Sequence, residues 1–211
     1  MMRNAPVTLS LAALLGVGTF GSSVAQDIDI GYGGRVEVPD SGVALTLPDD
    51  WVYVFPAPEM TEAALAYDEE MEDDPLTAAQ SDLVRNEMMS VTLLAFAPDR
   101  AGSQYQENCQ LVTRAASTLA GVLDLWVAAE LAAFANDDAA ERPSVSYIDL
   151  NVGRVARLDY DTDDWAGRAQ ASVYLVPGDH SRHWLNCVGE ERPEDRWLSI
   201  AETVEWLPSE E

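Results

Sequence analysis

Beyond residue 35 most of this chain consists of short runs in which apolar and polar residues alternate, each run closed by Pro, Gly or Asp. That pattern constrains the chain to a sheet, because alternate residues of a strand point to opposite faces. Arg35 to Val38 leads into Pro-Asp-Ser-Gly at 39–42, Val43 to Leu47 runs to Pro48-Asp-Asp50, and Trp51 to Phe55 follows. Ser90 to Ala97 reads as a buried strand closed by Pro98, and Asn108 to Arg114 places Cys109, Leu111 and Thr113 on one face. Four more strands are expected at Val145 to Leu150, Arg154 to Asp161, Arg168 to Val176 and His183 to Val188. Ala156, Leu158 and Tyr160 line one face of the second of these.

Helices are few and fall between the runs. Leu123, Trp126, Val127, Leu131 and Phe134 recur at helical spacing and predict an amphipathic helix over about 122–135. Pro193-Glu194-Asp195 suits a helix N-terminus, with Trp197, Ile200, Ala201 and Val204 as its buried face and Pro208 as its stop. Trp126, Trp197 and Trp206 all read as helix-face core, and shorter helices are expected near 61–66 and 77–87. Strands in runs with helices between them define an α+β class, in which helices pack on a mostly antiparallel sheet.

The first 25 residues read as a secretory signal. Arg3 supplies the charged head, Val7 to Phe20 an apolar middle, and Ser23-Val24-Ala25 small residues before a cut at Gln26. The expected product lies in the periplasm or outside the cell, without membrane insertion after cleavage. Gln26 to Gly34 reads as a flexible leader, and 35–211 as one α+β domain with no linker dividing it. No cysteine near the cut offers a lipid anchor.

Charge narrows the partners. The chain has 37 acidic residues against 12 basic ones, all arginine, for a net charge of −25. Losing Arg3 with the signal leaves 11 against 37. Adaptation to a saline exterior and a genomic bias toward Arg codons both account for this composition. Such a surface repels nucleic acid and anionic lipid and attracts cations or basic partners, so DNA and RNA binding are excluded. The two cysteines, Cys109 and Cys187, sit in an exported chain, where a single bridge is the expectation and two buried thiols the alternative.

The stretches GVALTLPDDW at 42–51 and SVTLLAFAPDR at 90–100, followed by a glycine-led strand, a hairpin and an amphipathic helix, resemble the PsbP-like (Mog/PsbP) α/β/α sandwich family. The likeness covers about 43–207 and rests on element order and turn placement. The acidic insert at 68–74 and the region around 76–88 depart from the family pattern. The resemblance implies the sandwich fold and a protein that acts by binding; it carries no functional residue onto this chain.

A few groups of residues have the composition of chemical sites. Asp159, Asp161, Asp163 and Asp164 begin like a calcium loop. The sixth position is then Asp164 where an EF-hand needs glycine, and the twelfth is Gln170 where it needs glutamate. What is left is a weak calcium candidate, as is the acidic run 68–74. His180 and His183 are the only histidines; strand spacing puts them on opposite faces, at the surface of a hairpin tip. Ser181 lies beside them, but no G-x-S-x-G elbow is present. Gly31-Tyr-Gly-Gly34 is no dinucleotide loop, lacking the preceding strand and following helix. Trp165, in a loop at 162–167 among aspartates, is the aromatic expected to stay exposed and to touch a partner or sugar. The reading is an exported, non-catalytic binding protein of unknown partner, without a cofactor. The alternatives are a calcium-responsive secreted protein and a secreted carboxylate-based hydrolase.

Overall fold

The structure is a computed structural model and describes residues 30–56, 90–98, 106–116, 123–135, 142–164 and 167–208. The signal segment, the acidic run, the helices expected between 61 and 87, and Trp165 lie outside those residues.

Two four-stranded antiparallel meanders make one sheet. The first runs β1 (Ile30–Val38), β2 (Val43–Val54), β3 (Val91–Phe96) and β4 (Asn108–Ala115). The second runs β5 (Ser144–Leu150), β6 (Gly153–Asp164), β7 (Gly167–Pro177) and β8 (Ser181–Gly189). β4 pairs with β8, so the strand order is β1-β2-β3-β4-β8-β7-β6-β5. Helix α1 (Leu123–Phe134) links the meanders, and α2 (Glu194–Glu202) follows β8. A ninth strand, β9 (Glu205–Trp206), pairs with Val43 and Ala44 of β2. The fold is α+β.

The helices cover opposite faces, as the alternation along β6 and β7 requires. Ala156, Leu158 and Tyr160 join Ala171, Val173 and Leu175 beneath Trp126, Val127 and Phe134 of α1. Val155, Tyr174 and Val176 turn the other way and join Trp197, Ile200 and Ala201 of α2. Each helix is docked by an indole N–H on a carboxylate. Trp126 and Trp184 both donate to Glu130 Oε1 (2.8 and 3.0 Å), while Trp197 donates to Glu107 Oε1 (2.8 Å) and Arg196 to Glu107 Oε2 (2.7 Å).

Four sequence expectations change. The runs 43–47 and 51–55, read as separated by Pro48-Asp49-Asp50, form one strand, β2, that continues through those residues. Strand β1 begins at Ile30, so residues 30–34 of the expected leader belong to the sheet. Glycine allows it: the Tyr53 ring occupies the space of a Cβ at Gly31, and a Cβ at Gly33 would lie 2.1 Å from the Pro48 carbonyl oxygen. The final helix ends at Glu202, and Trp206 sits on β9 instead of a helix face, 41% exposed. The expected 162–167 loop shrinks, because β6 reaches Asp164 and β7 resumes at Gly167, with Asp163 opposite Arg168 and Asp164 opposite Gly167.

Cys109 and Cys187 face each other directly across β4 and β8 and form a disulfide, with S–S 2.02 Å and Cα atoms 4.1 Å apart. Both are buried in the core under α2. The bridge expected from the sequence is therefore present, and neither sulfur serves as a nucleophile.

Candidate functional site

Three turns, at 39–42, 151–152 and 177–180, converge with residues 206–208 at one end of the sheet. Pro39–Ser41 form a single 3-10 turn between β1 and β2, closed by Gly42 in the left-handed region (φ 69°) and by its N–H on the Pro39 carbonyl. Ser41 Oγ donates to the Val38 carbonyl at 2.8 Å, which satisfies a hydroxyl buried in the turn. Between β7 and β8 the Gly178 N–H donates to the Ser181 carbonyl at 3.0 Å. The Leu207 N–H donates to the Gly42 carbonyl at 2.9 Å, holding the segment after β9 against the first turn.

These pieces enclose a cleft of about 960 Å³. Its lining includes Asp40, Val152, Asp179, His180, Ser181 and Trp206. The volume is near the upper end of the roughly 300–1,000 Å³ usual for small-ligand sites. Acidic groups and one exposed indole dominate its polar and aromatic character. Arg35 is spent internally, with its Nε on Glu205 Oε1 at 2.7 Å and its Nη1 on Glu37. Asp40 and Asp179 make no ion pair among the described residues.

Beneath the cleft lies a hydrogen-bonded chain that the sequence reading missed. Ser181 Oγ is 2.7 Å from His183 Nε2, His183 Nδ1 is 3.1 Å from Thr113 Oγ1, and Thr113 Oγ1 is 3.3 Å from Thr92 Oγ1. Thr92 donates its single proton to the Leu111 carbonyl at 3.2 Å. Thr113 must then donate to Thr92, which assigns His183 the Nδ1–H tautomer and leaves Nε2 to accept from Ser181. The His183 ring also lies 5.4 Å from the Trp206 ring.

His183 departs from the expected surface position. It is only 1% exposed, and burial lowers its pKa from 6.5 to about 4. Residues two apart on a strand share a face, so Ser181 and His183 meet, while His180 stays exposed in the turn. The pair has the first two members of a serine-hydrolase triad. Where that triad has a carboxylate to stabilise imidazolium, this site has the Thr113 hydroxyl. A neutral, buried imidazole on a hydroxyl chain is a weak base.

Of the calcium candidates, Asp159 and Asp161 lie elsewhere, on the α2 face of β6. Asp159 Oδ1 accepts from Arg157 Nε at 2.9 Å and from Ser172 Oγ at 2.5 Å, with Arg192 Nε 3.6 Å away. Arg192 Nη2 is 3.9 Å from Asp161 Oδ1. A regular strand spaces alternate residues about 7 Å apart instead of wrapping them around one ion. Asp163 and Asp164 lie in the same strand, though their side chains are outside the described residues. Among the described residues no three His, Cys, Asp or Glu side chains gather as a metal-ligand group.

Trp206 is the residue whose role was least legible. Its place two residues after Val204, off the i+3/i+4 helical spacing, and the nearby Pro208 were the available signals that the helix had already ended. The Pro39–Gly42 and Pro177–Asp179 turns were legible individually; that they meet is a property of strand order.

No family model matches the chain, and no curated protein matches it. The solved structures that align over most of its length include the following two. A protein from Bacteroides thetaiotaomicron is similar at 11% identity and a TM-score of 0.48, over 85% of this chain and 50% of that one. This chain thus spans about half of that protein. The T6SS immunity protein TplEi from Pseudomonas aeruginosa, in its apo form, is similar at 10% identity and a TM-score of 0.37, over 87% of this chain and 98% of that one.

Proposed function

We propose that this is an exported, non-catalytic binding protein with a PsbP-like sandwich, and that the cleft at the Trp206 end of the sheet is where it binds. The observation that carries this reading is the convergence of three turns and β9 on one large cleft with a solvent-facing indole. Tryptophan at a surface cavity is the residue type most enriched among energetically dominant contacts. The disulfide supports an oxidising compartment, where such bridges persist.

The test is retention of periplasmic proteins and small molecules on immobilised wild type and on Trp206→Ala, with equal thermal midpoints confirming that both are folded. Partners held by wild type and lost by Trp206→Ala support the reading. Equal retention by both overturns the cleft as the site.

The Ser181–His183 contact favours a second reading, a hydrolase using Ser181. It requires turnover of ester or peptide substrates that disappears in Ser181→Ala, and that result would overturn the non-catalytic reading.

A further inference from the structure

We infer that the cleft recognises an organic cation, specifically the guanidinium or ammonium side chains of a basic segment in a partner protein. This inference rests on the cleft being the binding site and adds the chemistry of what enters it. Acidic residues alone do not single out this place, since the whole surface is acidic. Trp206 does: a large aromatic residue, 41% exposed, stands at the wall of an open cleft. An indole face attracts cations through its quadrupole, most strongly when water is partly excluded.

Three further features select a cation over a neutral or anionic ligand. Asp40 and Asp179 lie on opposite turns of the cleft, without ion pairs among the described residues. The floor adds no opposing charge, because buried His183 is neutral and bonded to Ser181. The net charge of −25 also draws cations toward the mouth before contact. The rim already holds one guanidinium, that of Arg35, between Glu37 and Glu205. A neutral saccharide could stack on the indole and hydrogen-bond the carboxylates; a basic side chain adds charge pairing with both carboxylates and attraction by the overall field. The volume of about 960 Å³ exceeds the needs of one side chain and suits a short run of residues.

The test is isothermal titration calorimetry at low ionic strength with acetyl-Arg-Arg-Arg-amide. The comparison is acetyl-tricitrulline-amide, which keeps the shape of arginine and removes its charge. The expected result is one-to-one binding of the arginine peptide, with the citrulline peptide weaker by about tenfold or more. Trp206→Ala should weaken binding about fivefold, and Asp40→Asn with Asp179→Asn by about tenfold, with thermal midpoints near wild type. A pair of exposed acids at the other end of the sheet, Asp50→Asn with Asp195→Asn, should change it less than twofold.

Three outcomes would overturn the inference: equal binding of the two peptides, wild-type affinity in both cleft variants, or equal losses from the distant pair. The last would mean diffuse attraction to an acidic surface. If the arginine peptide fails while Trp206→Ala still loses a partner captured by wild type, the cleft remains the site and only its cationic specificity falls.

Discussion

His183 shows how one residue links core packing to the cleft. It is buried, and its ring nitrogens are spent on Ser181 and Thr113. With a folded pKa of about 4 against 6.5, the unfolded chain binds a proton in that interval that the folded chain refuses. Its contribution to stability is therefore complete above pH 6.5 and is lost as pH falls toward 4, to a total of about 3 kcal/mol. His183→Gln should flatten this dependence. The check is the difference between wild-type and variant urea midpoints at pH 7 and pH 4.5, because the many carboxylates titrate alike in both. A variant that declines with acid as steeply as wild type would remove His183 from the account. Little of this was legible beforehand: a histidine two residues past a Pro-Gly-Asp turn reads as surface until β4 is known to lie beside β8.

At the scale of elements, alternation and helical spacing located the strands and both described helices to within a few residues. The exceptions have local causes. Glycines 31 and 33 hid the start of β1, since they lack side chains to alternate, yet those gaps are what Tyr53 and the Pro48–Asp49 backbone fill. The helix of Trp197 was legible from its apolar face, but its attachment through Glu107 was not, because the two residues are 90 apart in sequence. Trp197→Phe removes the indole donor and some volume under α2. We expect a loss of about 1–3 kcal/mol in urea denaturation, from the Glu107 Oε1 acceptor left unpaired and a small cavity. Hydrogen exchange should quicken across 194–202 while the amides of β6 and β7 keep their protection. Uniform loss of protection would show that α2 and the sheet unfold as one unit.

For the whole molecule, charge dominates. A net charge of −25 on 211 residues costs stability through self-repulsion. Added salt shortens the screening length from about 30 Å at 0.01 M to about 10 Å at 0.1 M. The melting temperature should rise by several degrees over that range. Calcium and magnesium at equal ionic strength separate this general effect from a specific site. Equal gains would leave only screening. A calcium-specific gain abolished by Asp161→Asn with Asp163→Asn would establish the calcium-responsive alternative. The acidity itself was fully legible; where it gathers around a cleft was not, since Asp40 and Asp179 are separated by most of the chain.

The position of the disulfide has a consequence for how the molecule assembles. Within each meander every pairing joins consecutive strands, whereas β4 and β8 are brought together across 78 residues between Cys109 and Cys187. Oxidation at that seam fixes its register and tethers two otherwise independently zippering halves, so the slowest search in folding becomes a local one. A chain kept reduced would have to find that alignment by diffusion, exposing two unpaired sheet edges meanwhile. Supply of oxidant would then govern yield during production as much as the final stability does.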